Sequence, residues 1–428
     1  MKHIVENGKT LLVDGPAAVS LLSGQISILG APFVVGEKII IRDGKRMPFG
    51  VRKKATFDLM LGEGASLEEI DGGPVPASWE NAAKEVLSLK KPVTVIVIGG
   101  VDSGKTSFCT FLINEALKKK CKTGIIDADL GQSDVGPPST IGCSFVSKPV
   151  KDLFDIGAEN AYFVGLTSPS GAVRKVIAGL SELKNGVMGA DVDFLVVNTD
   201  GWIEGKDATK YKIQLTEIVS PSVVVGIRQE DELTPILTAL KEVKVLSIDS
   251  PQLVRRRNRE KRKILRELSY KKYLKQAKVH SFALSWVKVE DSLMGTGNSV
   301  VPERVEQIKN LLGTRPIYSE ETLNTIFMVL RRNQSVTEEQ IEKIQERFGK
   351  KAKVIREGEE DGLLLGLQDE GGRFLGIGIL CGVDYKRRVM KVFTPINEDV
   401  STIRFGQVKV DENGRELGLS TVYSNYLT

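Results

Sequence analysis

Histidine is almost missing from this chain: His3 and His280 are the two in 428 residues. That scarcity excludes a His-based metal site and a triad that depends on an imidazole. Cysteine is nearly as rare. Cys109, Cys121, Cys143 and Cys381 form no Cys-x-x-Cys pair and no metal-ligand spacing, so they read as buried thiols. No apolar run approaches the ~18 residues of a membrane span. The opening MKHIVENGKTLLVDG has no apolar signal-peptide core. A cytoplasmic protein with no membrane partner is expected.

What is present begins with bulk. Hydrophobic residues make up 41%, enough for packed cores and too many for a disordered chain. The length suggests two or three domains. Charge is unevenly placed. Residues 255–278, RRRNREKRKILRELSYKKYLKQAK, carry twelve Lys/Arg against two Glu, a net +10. The whole chain is +5, so the other 404 residues sum to −5. The basicity belongs to one segment, which points to an acidic partner there.

Three compositional regions follow. Residues 1–90 have short apolar runs broken by Asp-Gly, Ser-Gly and Gly-Ala turns, predicting an all-β, sandwich-like or jelly-roll-like domain. Residues 91–280 alternate strand and helix, predicting a doubly wound α/β domain with a parallel sheet and an Arg-rich lid at 255–278. Its strands are expected in VTVIVIG, KTGIIDADLGQSD, AYFVGLTSP, VDFLVVNTDGW, PSVVVGI and VKVLSID. Residues 281–428 predict an α+β domain: helices in SEETLNTIFMVLRR and TEEQIEKIQERFGKK, then β-structure with a hairpin at Asp-Glu-Gly-Gly. The expected fold class is α/β, a central P-loop domain with β and α+β flanks.

The most specific local signal is VTVIVIGGVDSGKTSF, residues 93–108. A β-branched run stops at a glycine pair, and Gly99-x4-Gly104-Lys105-Thr106 precedes a helix-compatible run. This is the P-loop pattern in its strand–loop–helix context. Unpaired N–H groups and the helix dipole converge there on an anion. Gly99, Gly100, Val101, Asp102, Ser103 and Gly104, with Lys105, Thr106 and Ser107, form the expected triphosphate cradle. Lys105 would reach the β- and γ-phosphates and Thr106 would ligate Mg²⁺.

Other residues narrow the chemistry. Asp127 and Asp129, about twenty residues past Lys105, alternate on a predicted strand and share a face. One carboxylate would serve the metal and the other would accept a proton from an attacking hydroxyl. The guanine-reading Asn-Lys-x-Asp of GTPases is absent. Phosphoryl transfer to a hydroxyl therefore fits better than a switch. Arg255, Arg259, Arg262 and Arg266 fall on one helical stripe, suited to stabilising a transferring phosphoryl group and to binding polynucleotide phosphates. Trp202 follows a strand end in NTDGWIEG, where it is either core or a stacking platform for a base.

Together these residues resemble the Clp1/Grc3 polynucleotide 5′-hydroxyl kinases. The likeness rests on GGVDSGKT, DADLGQS, the clasp-like YFVGLTSP, NTDGW and the Arg-rich lid ending in YKKYL, in the family's order across residues 99–274. It implies Lys105 and Thr106 as triphosphate and Mg²⁺ ligands, Asp127 as the leading general base, and Asp129 and Gln132 around the metal. Thr167, Ser168 and Pro169 would clasp the phosphate next to the acceptor, and Trp202 would stack on a terminal base. Arg257 and Arg262 fit the family's lid spacing, whereas the helical stripe favours Arg255, Arg259 and Arg262. Two positions depart from the pattern. Ser27 stands where eukaryotic relatives carry an adenine-holding glutamate, leaving ATP and GTP both open. Gly171-Ala172 stands where the clasp often continues Gly-His.

The resemblance implies transfer of the γ-phosphate of ATP or GTP to the 5′-hydroxyl of RNA, with DNA also open as acceptor and an RNA-processing complex as a further partner. The rival is a nucleotide-bound assembly factor without turnover; intact Lys105, Asp127 and lid arginines argue against it. The sequence leaves the oligomeric state undetermined.

Overall fold

The computed structural model describes residues 1–251 and 257–422. It forms two compact units, Met1–Arg266 and Glu267–Thr428, so the division falls inside the helix Arg259–Tyr273 rather than at the expected 280.

In the first unit a seven-stranded antiparallel sheet comes first. Its long strands, Ala17–Ile28 and Arg46–Leu61, each pair with different partners along their lengths. Alternating burial along Ala17–Ile28 and Lys38–Ile41 gives the sheet one apolar face. That face is not the core of a free-standing domain. Leu11, Phe49 and Phe57 belong to one continuous cluster with Trp79, Phe108, Phe111 and Leu112 from the helices that follow. The N-terminal sheet and the P-loop region thus share a core.

The second sheet runs in the order Asn160–Phe163, Thr140–Val146, Thr123–Ala128, Phe194–Thr199, Val93–Gly99, Val223–Arg228, Lys244–Asp249. Thr123–Ala128, Phe194–Thr199 and Val93–Gly99 are buried at every position, as strands covered on both faces must be. Five neighbours pair in parallel. The expectation of an all-parallel sheet needs one correction. Thr140–Val146, for which no strand was predicted, inserts antiparallel between Thr123–Ala128 and Asn160–Phe163. Its reversal follows from its short connection to the preceding strand, which leaves no room for a crossover helix.

The N-terminal sheet also grips the strand ends. Arg42 and Lys45 form a partly buried ion-pair network with Asp134 and Asp152. The two cations hold Asp152 well below the usual carboxylate range, although burial acts in the opposite direction.

The second unit holds a seven-stranded sheet and a four-stranded one. Leu363–Gln368 and Phe374–Asp384 form the expected hairpin across Asp-Glu-Gly-Gly. The helix Glu338–Phe348 is also as expected, opened by a capping box between Thr337 and Gln340. Residues 319–332 are not helical. Tyr318–Glu321 and Thr325–Leu330 are an antiparallel hairpin, and the whole IFMVL run is buried. A short continuous apolar run carries no periodicity to separate strand from helix. Among the described residues no helix is long and apolar enough to cross a membrane.

Candidate active site

The strand Val93–Gly99 delivers the chain to the loop, and the helix Lys105–Lys118 leaves it. Gly104, the helix N-cap, has φ 96°, a left-handed conformation that a side chain resists. Trp79, from the helix Ala77–Val86, backs this turn. Its ring stands 3.3 Å from where a Gly104 side chain would begin and meets Phe108 edge-on. Its Nε1 donates to the Asp249 carbonyl at 3.0 Å. Sequence reasoning missed this support, since an amphipathic helix before a P-loop has no distinguishing motif.

Lys105 lies almost wholly inside the loop, 6% exposed, with Nζ donating to the Gly100 carbonyl at 2.6 Å. Burial lowers its pKa from the ordinary lysine value, while the charges of Asp129 and Asp200 partly restore it. The Thr106 hydroxyl accepts from Asn198 Nδ2 at 3.4 Å.

The two aspartates are not equivalent. Asp127 is fully buried within its strand. Its Oδ1 accepts from Asn198 Nδ2 at 2.9 Å and Asp129 N at 3.2 Å; its Oδ2 accepts from Asp134 N at 2.8 Å and Val135 N at 3.1 Å. Burial, with the charges of Asp129 and Asp134, pushes it up to about 7, against the pull of those backbone N–H groups. A carboxylate with four donors on its two oxygens is committed to the fold. This geometry is at odds with Asp127 as the base, because no lone pair faces an acceptor hydroxyl without breaking a bond. Asp129 lies just past the strand end and is partly exposed. One oxygen, Oδ1, accepts from Gly131 N and Gln132 N at 3.1 and 2.9 Å. Burial raises its pKa, Lys105 opposes that, and Asp200 adds to it. Asp129 N bonds Asp127 Oδ1, which shares Asn198 Nδ2 with the Thr106 hydroxyl, so this turn lies beside the phosphate loop.

The NTDGW segment packs onto the same loop. A side chain on Gly201 would stand 2.6 Å from Val101 Cγ2 and 2.8 Å from Val101 N. Asp200 accepts from Trp202 N, from the Tyr211 hydroxyl and from Lys212 Nζ, at 2.9, 2.7 and 3.0 Å. Lys212 is fully buried, and that burial lowers its pKa while Asp200 raises it. Trp202 is half-buried and stacks on Tyr211, with ring centroids 5.4 Å apart. Asn198, Asp200, Tyr211 and Lys212 were not singled out from sequence. The strand-end Asn-Thr-Asp was visible, but Lys212 is one lysine among many on a helix.

The clasp segment reaches the Asp129 turn. A side chain on Gly131 would meet the Thr167 carbonyl at 2.8 Å. Ser168 is exposed and bonds the Ser170 hydroxyl, and Pro169 is buried. Ser27 lines a separate cavity of about 730 Å³ between the N-terminal sheet, the helix Ala77–Val86 and the later turns of the P-loop helix.

The lid arginines divide. Asp102, in the phosphate loop, accepts from Arg257 N at 2.8 Å and Arg262 Nη2 at 3.2 Å. Gln132, expected near the metal, donates its side-chain amide to the Arg262 carbonyl at 3.2 Å. Arg259 is exposed and Arg266 half-buried. Arg255 lies outside the described residues. Arg257 and Arg262 both reach the loop. Arg262 is common to the helical stripe and the lid spacing, whereas Arg257 precedes the helix, which begins at Arg259, and so falls outside the stripe.

Residues 99–276 match the family model described as the mRNA cleavage and polyadenylation factor CLP1 P-loop. A polyribonucleotide 5′-hydroxyl-kinase of Methanocaldococcus jannaschii is 29% identical over 81% of this chain and 94% of its own length. Over residues 99–276 the chain is thus similar to the Clp1 P-loop family. A second archaeal relative, the polyribonucleotide 5′-hydroxyl-kinase of Pyrococcus furiosus, is also 29% identical, over 81% of this chain and 95% of that one. Among solved structures, the wild-type Clp1p–Pcf11p complex contains a chain that superposes with a TM-score of 0.67 at 12% identity. It covers 96% of this chain and 97% of that one, so the Clp1 fold extends through both units.

Proposed function

We propose that this protein is a polynucleotide 5′-hydroxyl kinase that transfers the γ-phosphate of ATP or GTP to the 5′-OH end of RNA, with DNA as the second acceptor to be tested. The observation that carries this reading is the convergence on one phosphate loop of Lys105, the partly exposed carboxylate of Asp129, and Arg257 and Arg262. The archaeal relatives bear the name of that activity.

The residues present fit a nucleoside triphosphate with Mg²⁺. A Cβ at Gly99 would strike Ser103 Oγ at 2.5 Å, so the loop closes only around bare backbone. The Thr106 hydroxyl offers the kind of hard oxygen donor that Mg²⁺ prefers, beside the phosphate oxygens and water. When bound, the nucleotide and metal supply the phosphoryl group and much of the charge that offsets it. The chain's own residues do the rest. Lys105 leaves the Gly100 carbonyl for the phosphates. Asp129, rather than Asp127, takes the proton from the acceptor 5′-hydroxyl. Arg262 and Arg257 face the charge that develops on the transferring group. Thr167, Ser168 and Pro169 flank the acceptor phosphate, and the Trp202 face opposite Tyr211 receives the terminal base. Positioning and charge compensation are what phosphoryl transfer requires of a protein.

The test incubates purified protein with Mg²⁺, γ-labelled ATP and matched RNA and DNA oligonucleotides bearing free 5′-hydroxyls. Label on the 5′ end that disappears with Lys105→Ala is expected. ATP held tightly with no transfer would instead identify a nucleotide-bound assembly factor.

A further inference from the structure

One charge in the phosphate loop has no part in the reaction as proposed, and it is negative. Asp102 is the fourth residue of GGVDSGKT, with φ 54° and a side chain only 7% exposed. A carboxylate enclosed in a loop that receives a triphosphate repels its own ligand unless a cation offsets it. Two guanidinium groups do so: Arg262 Nη2 at 3.2 Å and Arg257 Nη1 at 3.6 Å, beside the bond from Arg257 N at 2.8 Å. The arginines are also held from behind. Arg262 Nη2 donates to the Arg257 carbonyl at 2.7 Å, and Arg257 Nε to the Gly44 carbonyl at 2.8 Å. Long side chains restrained this way have already lost the rotamer freedom that a catalytic arginine must give up.

We propose that Asp102 is a positioning residue for phosphoryl transfer, docking Arg257 and Arg262 onto the phosphate loop while they neutralise its carboxylate. This rests on the kinase reading above. Asp102 touches no reacting atom and acts through the arginines. Its removal therefore has two separable effects. Nucleotide binding does not weaken, because a like charge has gone. Turnover falls, because the guanidinium groups are no longer held.

The experiment uses the full chain and four variants: Asp102→Ala, Asp102→Asn, Arg262→Ala and the double variant D102A/R262A. It measures kcat and KM for ATP in transfer to a 5′-hydroxyl oligoribonucleotide, and ATP affinity without acceptor. Asp102→Ala should lower kcat by at least about tenfold with KM for ATP unchanged or lower. Asp102→Asn keeps an oxygen for the Arg257 N–H and should fall between. The double variant should lose less than the two single losses combined, because residues acting as one unit do not lose the same activity twice, with the remaining drop below Arg262→Ala reporting the undocking of Arg257. Wild-type kcat in Asp102→Ala, or additive losses in the double variant, would overturn the proposal. If the wild-type chain transfers no phosphate, the kinase reading fails by itself. Docking is then read from hydrogen exchange at the Arg257 amide, which Asp102→Ala and Asp102→Asn must accelerate in the order given; unchanged exchange sinks the docking.

Discussion

Exchanging the carboxyl groups of Asp127 and Asp129 for amides separates folding from chemistry. An asparagine at 127 offers one oxygen where the aspartate offers two. Whichever way it turns, its NH₂ meets two of the four donors, either Asp134 N and Val135 N or Asp129 N and Asn198 Nδ2. Each buried donor left without a partner costs about 1–3 kcal/mol, so Asp127→Asn should destabilise by about 2–6 kcal/mol. For a unit of this size that corresponds to a fall in melting temperature of roughly 5–20 °C. Asp129→Asn keeps an oxygen for both of its backbone donors and should change stability by about 1 kcal/mol or less. It removes the proton acceptor, however, and should lower transfer to a 5′-hydroxyl by roughly 10²–10⁴-fold. The assay pairs calorimetric melts at pH 8 with single-turnover transfer from labelled ATP, run below the melting range of both variants. The reasoning is refuted if Asp127→Asn melts with the wild type yet loses transfer, or if Asp129→Asn keeps its rate.

Three further outcomes follow from the same geometry. The pH profile of kcat/KM should rise on the acid side with a midpoint above 3.8, because Asp129 must be ionised to take a proton and burial raises it; it should fall on the alkaline side below 10.5, because burial makes Lys105 lose its proton early. An acid limb unchanged in the residual activity of Asp129→Asn would contradict the assignment. Lys212→Met breaks a pair whose side chains are 0% and 5% exposed, and should cost about 3–5 kcal/mol in chemical denaturation; adding Asp200→Asn should recover part of that loss. Gly201→Ala forces a methyl group within 2.8 Å of Val101 N, and the displaced loop should bind ATP roughly tenfold or more weakly by calorimetry.

How much could be read beforehand varies with the range of the interaction. The loop from Gly99 to Thr106 was legible because its function depends on consecutive backbone groups, a strand before them and a helix after them. The N-terminal β-structure and the helix Glu338–Phe348 were legible for a related reason, since turn residues between short apolar runs and a helix-compatible stretch are both local signals. The hairpin at 318–330 was not, because a buried run of five apolar residues fits either period.

The sequence by itself determined that the chain carries a nucleotide-binding P-loop, that two carboxylates follow near a strand end, and that its basicity is concentrated in one segment. Tertiary structure decided which of those groups is free to act. Asp127 and Asp129 look alike along the chain. Asp127 is filled by donors from residues 134 and 135 and from the neighbouring strand at Asn198, whereas Asp129 stands beyond the strand, where alternation no longer applies. The arginines look alike too. Among the described residues, Asp102 takes Arg257 and Arg262 by direct contact across more than 150 positions of sequence. Charge can be counted locally, but whether a charge is spent on the fold or left for a substrate depends on partners brought from elsewhere in the chain.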